Sequence, residues 1–169
     1  MADEQNIVYD VDGYEAITPA IMDLLNSYPG LSAGDAFTFS VLSENGGKAM
    51  FPNNGATVQL ERISVTGKVY QECLYPCFVE YRSAGLSEAR KAAVKEWLDN
   101  LGRWLERQPI IVDGAEHTLG AYPALTGNRK ILSISRQSPA ILYAISENKT
   151  EDWIMDISVR YTNEFLRRN

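Results

Sequence analysis

The chain has 169 residues, 45% of them hydrophobic, and a formal net charge of −6 at pH 7. This length and composition suit one domain with a sizeable core. The acidic balance argues against an independent nucleic-acid binder, which normally has a basic face. The polar start MADEQN is unlike a secretory signal, and no apolar run approaches the roughly 20 residues of a membrane span. We therefore expect a protein of the reducing cytoplasm, where disulfides are rare.

The amino-terminal part predicts a tail followed by one helix. Residues 1–13 are expected to be a flexible tail, and residues 14–169 a single domain. Thr18 is a suitable helix cap, and Pro19 suits the first helical position because its missing N–H costs nothing there. The stretch TPAIMDLLNSY therefore predicts a helix that starts at Thr18. An extra turn before Pro19 would place the proline inside the helix, where a backbone hydrogen bond is lost.

The next third of the chain predicts strands and a long loop. AFTFSVL at 36–42 is rich in β-forming residues. Residues 43–56 are rich in Asn, Gly and Pro and predict a loop, with a short strand at 49–51. Two further strands are expected in TVQLERISVTGKVYQECLYPCFVEYRS, joined at Gly67, which supplies the positive φ of a tight hairpin turn. Imperfect alternation in the first of them predicts a bulge near Arg62.

A second helix is predicted by SEARKAAVKEWLDNLGRWLERQ, where apolar residues recur at spacings of three and four. Ser87 is its expected cap, and Gln108 with Pro109 its expected stop. Residues 109–128 form a long connection with several Gly and Pro residues, so it is functional or partly structured. Three strands follow, in RKILSISRQ, AILYAIS and EDWIMDISVRYTNEF, the last two as a hairpin. The last strand alternates between apolar and polar residues, which is typical of a sheet with one buried face.

Together these elements predict an α+β fold in which a mixed, mostly antiparallel sheet packs against two main α-helices. No internal repeat is evident in the sequence.

The two cysteines, Cys73 and Cys77, are candidates for a chemical site or for core residues. If Cys73 and Cys77 lie in one strand, their Cα atoms are roughly 13 Å apart. A disulfide needs about 4.4 to 6.8 Å, so the pair is predicted to be two small apolar side chains in the core.

Other candidate sites are weak. His117 lies in GAEHTLG, which resembles neither a nucleophile elbow nor a metal-binding helix, and SENGGK lacks the spacing of a phosphate loop. The sequence therefore predicts no catalytic residue, no metal site and no cofactor. An enzyme remains an alternative if Asp10, Asp12, Glu116 and His117 converge in one pocket. Replacing His117 would distinguish an enzyme from a structural protein, because an enzyme would lose activity and still assemble, whereas a structural protein would be unaffected.

The order of elements resembles a known family. A helix and a strand are followed by MFPNNG, a turn at TGK, a strand ending PCFVEYR, the helix EARKAAVKEWLDNLGRWLERQ and the closing YAISENKTEDWIMDISVRYT. Over roughly residues 14–162 this resembles the minor capsid or tail terminator proteins of siphovirus-type bacteriophages and prophages. The resemblance implies a homo-oligomeric, commonly hexameric, ring that caps the tail tube, joins it to head–tail connector proteins and becomes part of the virion after assembly in the host cytoplasm.

Such a protein has a structural role and no catalytic residues to transfer. A ring subunit needs two dissimilar surfaces, because head-to-tail contacts close only at a fixed rotation. Loops 43–56 and 109–128 are candidate contact segments. Candidate interface side chains, including two at the carboxyl terminus that suit an acidic partner, are Phe51, Arg62, Arg160, Arg167 and Arg168. An alternative within virion assembly is a head-completion or minor capsid connector subunit, which would contact the portal; neighbouring tube and portal genes would favour either assembly role.

Overall fold

The computed structural model describes residues 6–85 and 87–168. They form two α-helices and nine strands, and most strands belong to one sheet. The helices are α1 (Val11–Asn26) and α2 (Glu88–Leu105), and the strands are β1 (Phe37–Phe39), β2 (Gly47–Pro52), β3 (Thr57–Ile63), β4 (Lys68–Ser83), β5 (Ile110–Val112), β6 (Ala115–His117), β7 (Arg129–Arg136), β8 (Ile141–Ile145) and β9 (Glu151–Leu166).

The main sheet has seven strands, in the order β1-β2-β4-β9-β7, with β3 beside β4 and β8 beside β9. Only the short β1–β2 pair is parallel, and β5 with β6 forms a separate hairpin. Both helices contribute to one hydrophobic core with the sheet. The predicted α+β fold, a mostly antiparallel sheet packed against two helices in a single domain, is confirmed.

The centre of the sheet is the antiparallel pair β4 and β9, whose 16 residues each are matched from Lys68 opposite Leu166 to Ser83 opposite Glu151. Alternate side chains of both strands are buried against the helices, as the alternation of the last strand predicts. Cys73 and Cys77 lie in this buried row of β4 as free thiols. The prediction that they are core residues is confirmed.

Pro76 lies in the middle of central strand β4, where proline is unusual because it cannot donate to a ladder. The neighbouring strands explain its position. Pairing with β3 stops at Leu74, and pairing with β2 begins at Cys77. Pro76 therefore lies at the junction of two flanking strands, and its carbonyl accepts a hydrogen bond from the backbone N–H of Asn53 (2.9 Å) in the connection between them.

The structure contains a repeated arrangement that the sequence does not reveal. In the first half of the chain, α1 precedes β2, which pairs with residues 77–82 of β4, and β3, which pairs with residues 69–74 of β4. In the second half, α2 precedes β7, which pairs with residues 157–163 of β9, and β8, which pairs with residues 151–154 of β9. The order is α1, β2, β3, β4 in the first half and α2, β7, β8, β9 in the second. The two halves therefore share a pairing pattern, apart from β1 and the β5–β6 hairpin, and β8 takes the place that β3 has.

The predicted start of the first helix is wrong. Helix α1 begins at Val11, and the side chain of Asp10 caps it by accepting a hydrogen bond from the N–H of Gly13 (3.1 Å). Pro19 lies inside the helix, where the predicted break does not occur. Tertiary contacts hold the amino-terminal turns, since Ile17 is fully buried in the core. Of the predicted flexible tail 1–13, only residues 1–5 lie outside the described part of the chain.

Two further predictions are corrected. The strand expected at 36–42 is limited to β1, because Ser40 takes a positive φ of 55° and turns the chain. The bulge in β3 is at Gln59, between Val58 and Leu60, three residues before the expected Arg62. The connection 109–128 contains the β5–β6 hairpin, which agrees with the expectation that it is functional or partly structured. The short strand at 49–51 and the turn at Gly67 (φ 81°) are confirmed.

Candidate functional site

The face of the sheet opposite the helices is the main candidate contact surface. Helices α1 and α2 bury the other face, and among the described residues no helix packs on this one. Alternate side chains of β4 point to this open face. Phe78 lies opposite Phe51 of β2, and their rings are stacked with centroids 5.2 Å apart and an angle of 12°. Both rings are half-buried, so the pair presents an apolar area to solvent.

Charged side chains flank this aromatic pair toward the β3 end of the sheet. The guanidinium of Arg160 on β9 forms a salt bridge with Glu72 on β4, and the hydroxyl of Tyr70 donates to the same carboxylate (3.2 Å). The hydrogen bond from Arg160 lowers the pKa of Glu72 despite some desolvation, with help from Tyr70 and Arg62. The group is solvent-exposed and holds two cations for one carboxylate, so it suits an acidic partner surface.

The structure places three of the five predicted interface residues on the open face. Phe51 is opposite Phe78, Arg62 of β3 is opposite Tyr70, and Arg160 contacts Glu72. Arg167 and Arg168 lie beyond the end of β9 and are exposed. The backbone N–H of Arg167 donates to the carbonyl of Gly67 (2.9 Å), which ties the carboxyl-terminal segment to the β3–β4 turn.

Sequence reasoning missed the partners of these residues on β4. Tyr70, Glu72 and Phe78 alternate with the buried row that holds the two cysteines. Once β4 is recognised as a strand, its period of two assigns them to the opposite face. That signal was available in the sequence, but the register that places Phe51 opposite Phe78 was not.

A second charged cluster lies at the far end of the open face. Arg82 of β4 contacts Asp152 of β9 through two hydrogen bonds of 2.6 and 2.9 Å, and Glu80 lies beside both. Burial raises the pKa of Glu80, and the neighbouring carboxylate of Asp152 raises it further, while Arg82 opposes the shift. Arg82 is therefore the counter-ion of two partly buried carboxylates, and the ionised form of Glu80 is disfavoured.

We expect Glu80→Gln to stabilise the protein slightly at neutral pH, by up to about 1 kcal/mol, because it removes a disfavoured charge. A carboxyl group with a raised folded pKa stabilises the folded state only while it is protonated. The gain should therefore shrink as the pH falls through the raised pKa of Glu80 toward its ordinary value of 4.5. Chemical denaturation at several pH values measures this; Glu96→Gln, at an exposed position of α2, is the control. A loss of stability at pH 7 would contradict the expectation.

The residues that an enzyme would need do not share a cavity. Asp10 and Asp12 lie at the start of α1 and line a cavity of about 620 Å³, whose lining includes neither Glu116 nor His117. Glu116 and His117 lie in the small β5–β6 hairpin. Asp10 is occupied by an ion pair with Arg129 (2.8 Å). Within residues 6–85 and 87–168, no three His, Cys, Asp or Glu side chains are grouped as metal ligands.

Comparisons with known proteins add no assignment. No protein-family model matches the sequence. A search of curated proteins found no match either. In the part of the chain that the structure describes, no helix is long and apolar enough to cross a membrane.

Proposed function

We propose that this protein is a structural assembly protein of the tail terminator type, which forms a homo-oligomeric ring on the end of a phage tail tube and joins it to the head–tail connector proteins. The observation that carries the proposal is the open face of the sheet, which carries both the Phe51–Phe78 stack and the Arg160–Glu72 group. A face that carries both an aromatic pair and exposed charges suits a protein contact surface. The protein then belongs to the virion and is assembled in the host cytoplasm.

The loops support a role in contacts because the fold holds them firmly. Segment 43–56 carries β2 and is fixed at its start, where Arg82 donates to the carbonyl of Ser43 (3.2 Å). In segment 109–128, Arg107 donates to the carbonyls of Leu119 (3.2 Å) and Gly120 (2.6 Å). Loops held in position by a rigid sheet are well suited to recognition. The ring contacts are expected at these loops and at the open face.

The test is to add the purified protein to the polymerising tube protein of the same virus. A terminator should arrest tube growth and appear as a ring of about six subunits on one end, as the family resemblance implies. Electron microscopy of tube lengths and ends measures both. Unchanged lengths and bare ends would overturn the proposed function. Binding to the portal in place of the tube would support the connector alternative.

Arg62→Glu should weaken the contact with the tube by about tenfold, because it reverses an exposed charge on the open face. Arg62 makes no salt bridge among the described residues, so the cost to folding should be small and limited to its charge interaction with Glu72. Arg90→Glu, at an exposed position of α2 away from the open face, is the matched control. Pelleting with preformed tubes measures binding. If Arg62→Glu and Arg90→Glu bound the tube equally well, the open face would not be part of the contact with the tube.

A further inference from the structure

A cavity beside the edge of β7 has a charge opposite to that of the whole chain. It measures about 620 Å³ and lies between segment 109–128 and the first half of β7. Arg107, Arg129 and Lys130 line it, and none of the described lining residues is acidic. The chain as a whole has 22 acidic and 16 basic residues. A cavity lined by charges of one sign concentrates ligands of the opposite sign, so this cavity favours an anion.

The rest of the cavity wall is largely apolar. Leu125 from segment 109–128 and Ile131 and Leu132 from β7 line it, together with two alanines and a proline. Leu132 lies in the β-bulge of β7 and is 41% exposed. Ligand cavities typically combine apolar walls with a few charged groups that fix the orientation of the ligand. The cavity therefore suits a ligand that has both an anionic group and an apolar body.

The net positive charge of the cavity comes from two of its three cations. Arg129 is neutralised by Asp10, because its Nε and Nη2 donate to that carboxylate (3.1 and 2.8 Å). Lys130 is exposed and forms no salt bridge among the described residues. Arg107 also has no carboxylate partner in the described part of the chain. An anion in the cavity would therefore meet the uncompensated charges of Arg107 and Lys130.

Arg107 is held in position by the fold. It follows α2 with a positive φ of 62°, at a position where glycine is usual, so a side chain there costs backbone strain. Its Nε donates to the carbonyl of Leu119 (3.2 Å) and its Nη2 to that of Gly120 (2.6 Å). Its Nη1 has no hydrogen-bond partner among the described residues. A guanidinium fixed by two bonds and with one nitrogen unused is preorganised for an anion.

The wall formed by segment 109–128 is held as well. The hydroxyl of Tyr122 donates to the carbonyl of Leu105 at the end of α2 (2.8 Å). The same hydroxyl accepts from the backbone N–H of Ile134 in β7 (3.2 Å). These two bonds join the segment to both elements that flank it. The cavity is therefore formed before any ligand arrives, which lowers the entropy cost of binding.

We propose that this cavity is a binding site for a carboxylate group attached to an apolar body, with the carboxylate held by Arg107 and Lys130. After the internal hydrogen bonds, Nη1 of Arg107 and Nζ of Lys130 are the donors that remain, and a carboxylate has two oxygen atoms to receive them. A phosphate group has more oxygen atoms and more charge than these donors match. The apolar body lies against Leu125 and Leu132, where its burial adds to the affinity.

This inference goes beyond the proposed function and does not depend on it. Capping a tube through the open face does not require the cavity at β7. The carboxylate can belong to a free organic acid or to the end of a peptide chain, because both offer the same two oxygen atoms beside an apolar group. The experiment distinguishes these two sources.

Calorimetric titration of the full chain with octanoate tests the site. Octanol, which has the apolar body without the charge, should bind at least about tenfold more weakly than octanoate. Acetate, which has the charge without the body, and inorganic phosphate should also bind at least about tenfold more weakly. Added salt should weaken the binding of octanoate, because the charges of Arg107 and Lys130 are near solvent.

Lys130→Gln should weaken the binding of octanoate by about tenfold, because it removes one of the two charged donors. Lys149→Gln is the matched control: Lys149 is also exposed, but it lies in the turn between β8 and β9 and does not line the cavity. Its affinity for octanoate should equal that of the wild-type protein. Neither lysine forms a salt bridge among the described residues, so both variants should fold.

Leu132→Asp provides an independent readout, because it places a second negative charge in the cavity. It should weaken the binding of octanoate by more than about tenfold through like-charge repulsion. Leu142→Asp is its control, since Leu142 is 38% exposed, close to the 41% of Leu132, and lies in β8. Circular dichroism checks the folding of both variants. If Leu132→Asp does not fold, the comparison of Lys130→Gln with Lys149→Gln decides.

The two sources are separated by acetyl-leucyl-leucine and its carboxamide. Tighter binding of the acid than of octanoate, with loss of binding in the carboxamide, would assign a peptide end, and the reverse order would assign a free organic acid. Equal affinities for octanoate and octanol would overturn the site. No binding of octanoate up to about 10 mM would also overturn it, as would a Lys130→Gln variant with wild-type affinity. Each of these results is independent of whether the protein caps a tube.

Discussion

Asp10→Asn is expected to lower the free energy of unfolding by about 2 to 4 kcal/mol, because it leaves a buried arginine without its counter-ion. The carboxylate of Asp10 accepts two hydrogen bonds, of 2.8 and 3.1 Å, from the guanidinium of Arg129. It also accepts from the hydroxyl of Tyr161 (2.7 Å) and from the N–H of Gly13 (3.1 Å). These groups join the start of α1 to β7 and β9, so their loss should release the amino-terminal segment.

The pH dependence of this contribution follows from the pKa of Asp10. Burial raises that pKa, but the hydrogen bonds from Arg129, Tyr161 and Gly13 outweigh burial and lower it below the ordinary 3.8. A carboxylate with a lowered folded pKa stabilises the protein above its unfolded pKa, and the stabilisation is lost as the pH falls through the folded pKa. The difference between wild type and Asp10→Asn should therefore be full at neutral pH and shrink below about pH 4.

Urea denaturation at pH 7 and at pH 3.5 measures this effect. Asp12→Asn is the matched control, because Asp12 is also in the first turn of α1 but its side chain is exposed. Its effect should stay within about 0.5 kcal/mol. A change of less than 1 kcal/mol for Asp10→Asn at pH 7 would show that the network does not hold the amino-terminal segment.

Gly102→Ala is expected to destabilise the protein by about 1 to 3 kcal/mol, because the added methyl group overpacks a close-packed site. Helix propensity alone predicts the opposite, a gain of about 1 kcal/mol for alanine inside a helix. Gly102 lies in α2, and a Cβ there would be 2.2 Å from Cδ of Arg136 and 2.9 Å from Sδ of Met155. Arg136 cannot easily yield, because its guanidinium is held by the carboxylate of Glu106 (2.9 and 3.0 Å).

Thermal unfolding of Gly102→Ala and Arg103→Ala compares a buried and an exposed position of the same helix turn. Only the first should lower the melting temperature. In a double-mutant cycle, Arg136→Ala should couple to Gly102→Ala by at least about 0.5 kcal/mol, because it removes the atoms that the new methyl group meets. A stabilised Gly102→Ala variant would mean that β7 moves away from α2 at little cost.

The elements whose signals are local could be predicted from the sequence alone. The spacing of apolar residues predicted α2, which begins directly after the expected cap Ser87. Alternation predicted β9 and its buried face, and the strand geometry of Cys73 and Cys77 predicted two core thiols. These predictions held because helix and strand periods are properties of the chain itself. The same period could have assigned Glu72 and Phe78 to the open face.

Features that depend on residues distant in the sequence follow only from the tertiary structure. Helix α1 continues through Pro19 because Asp10 meets Arg129, a residue 119 positions away. Register decided that Phe51 stacks on Phe78, since a shift of one residue would turn the ring to the other face. Strand pairing forms only when the sheet is assembled, so no local pattern of the sequence specifies the register.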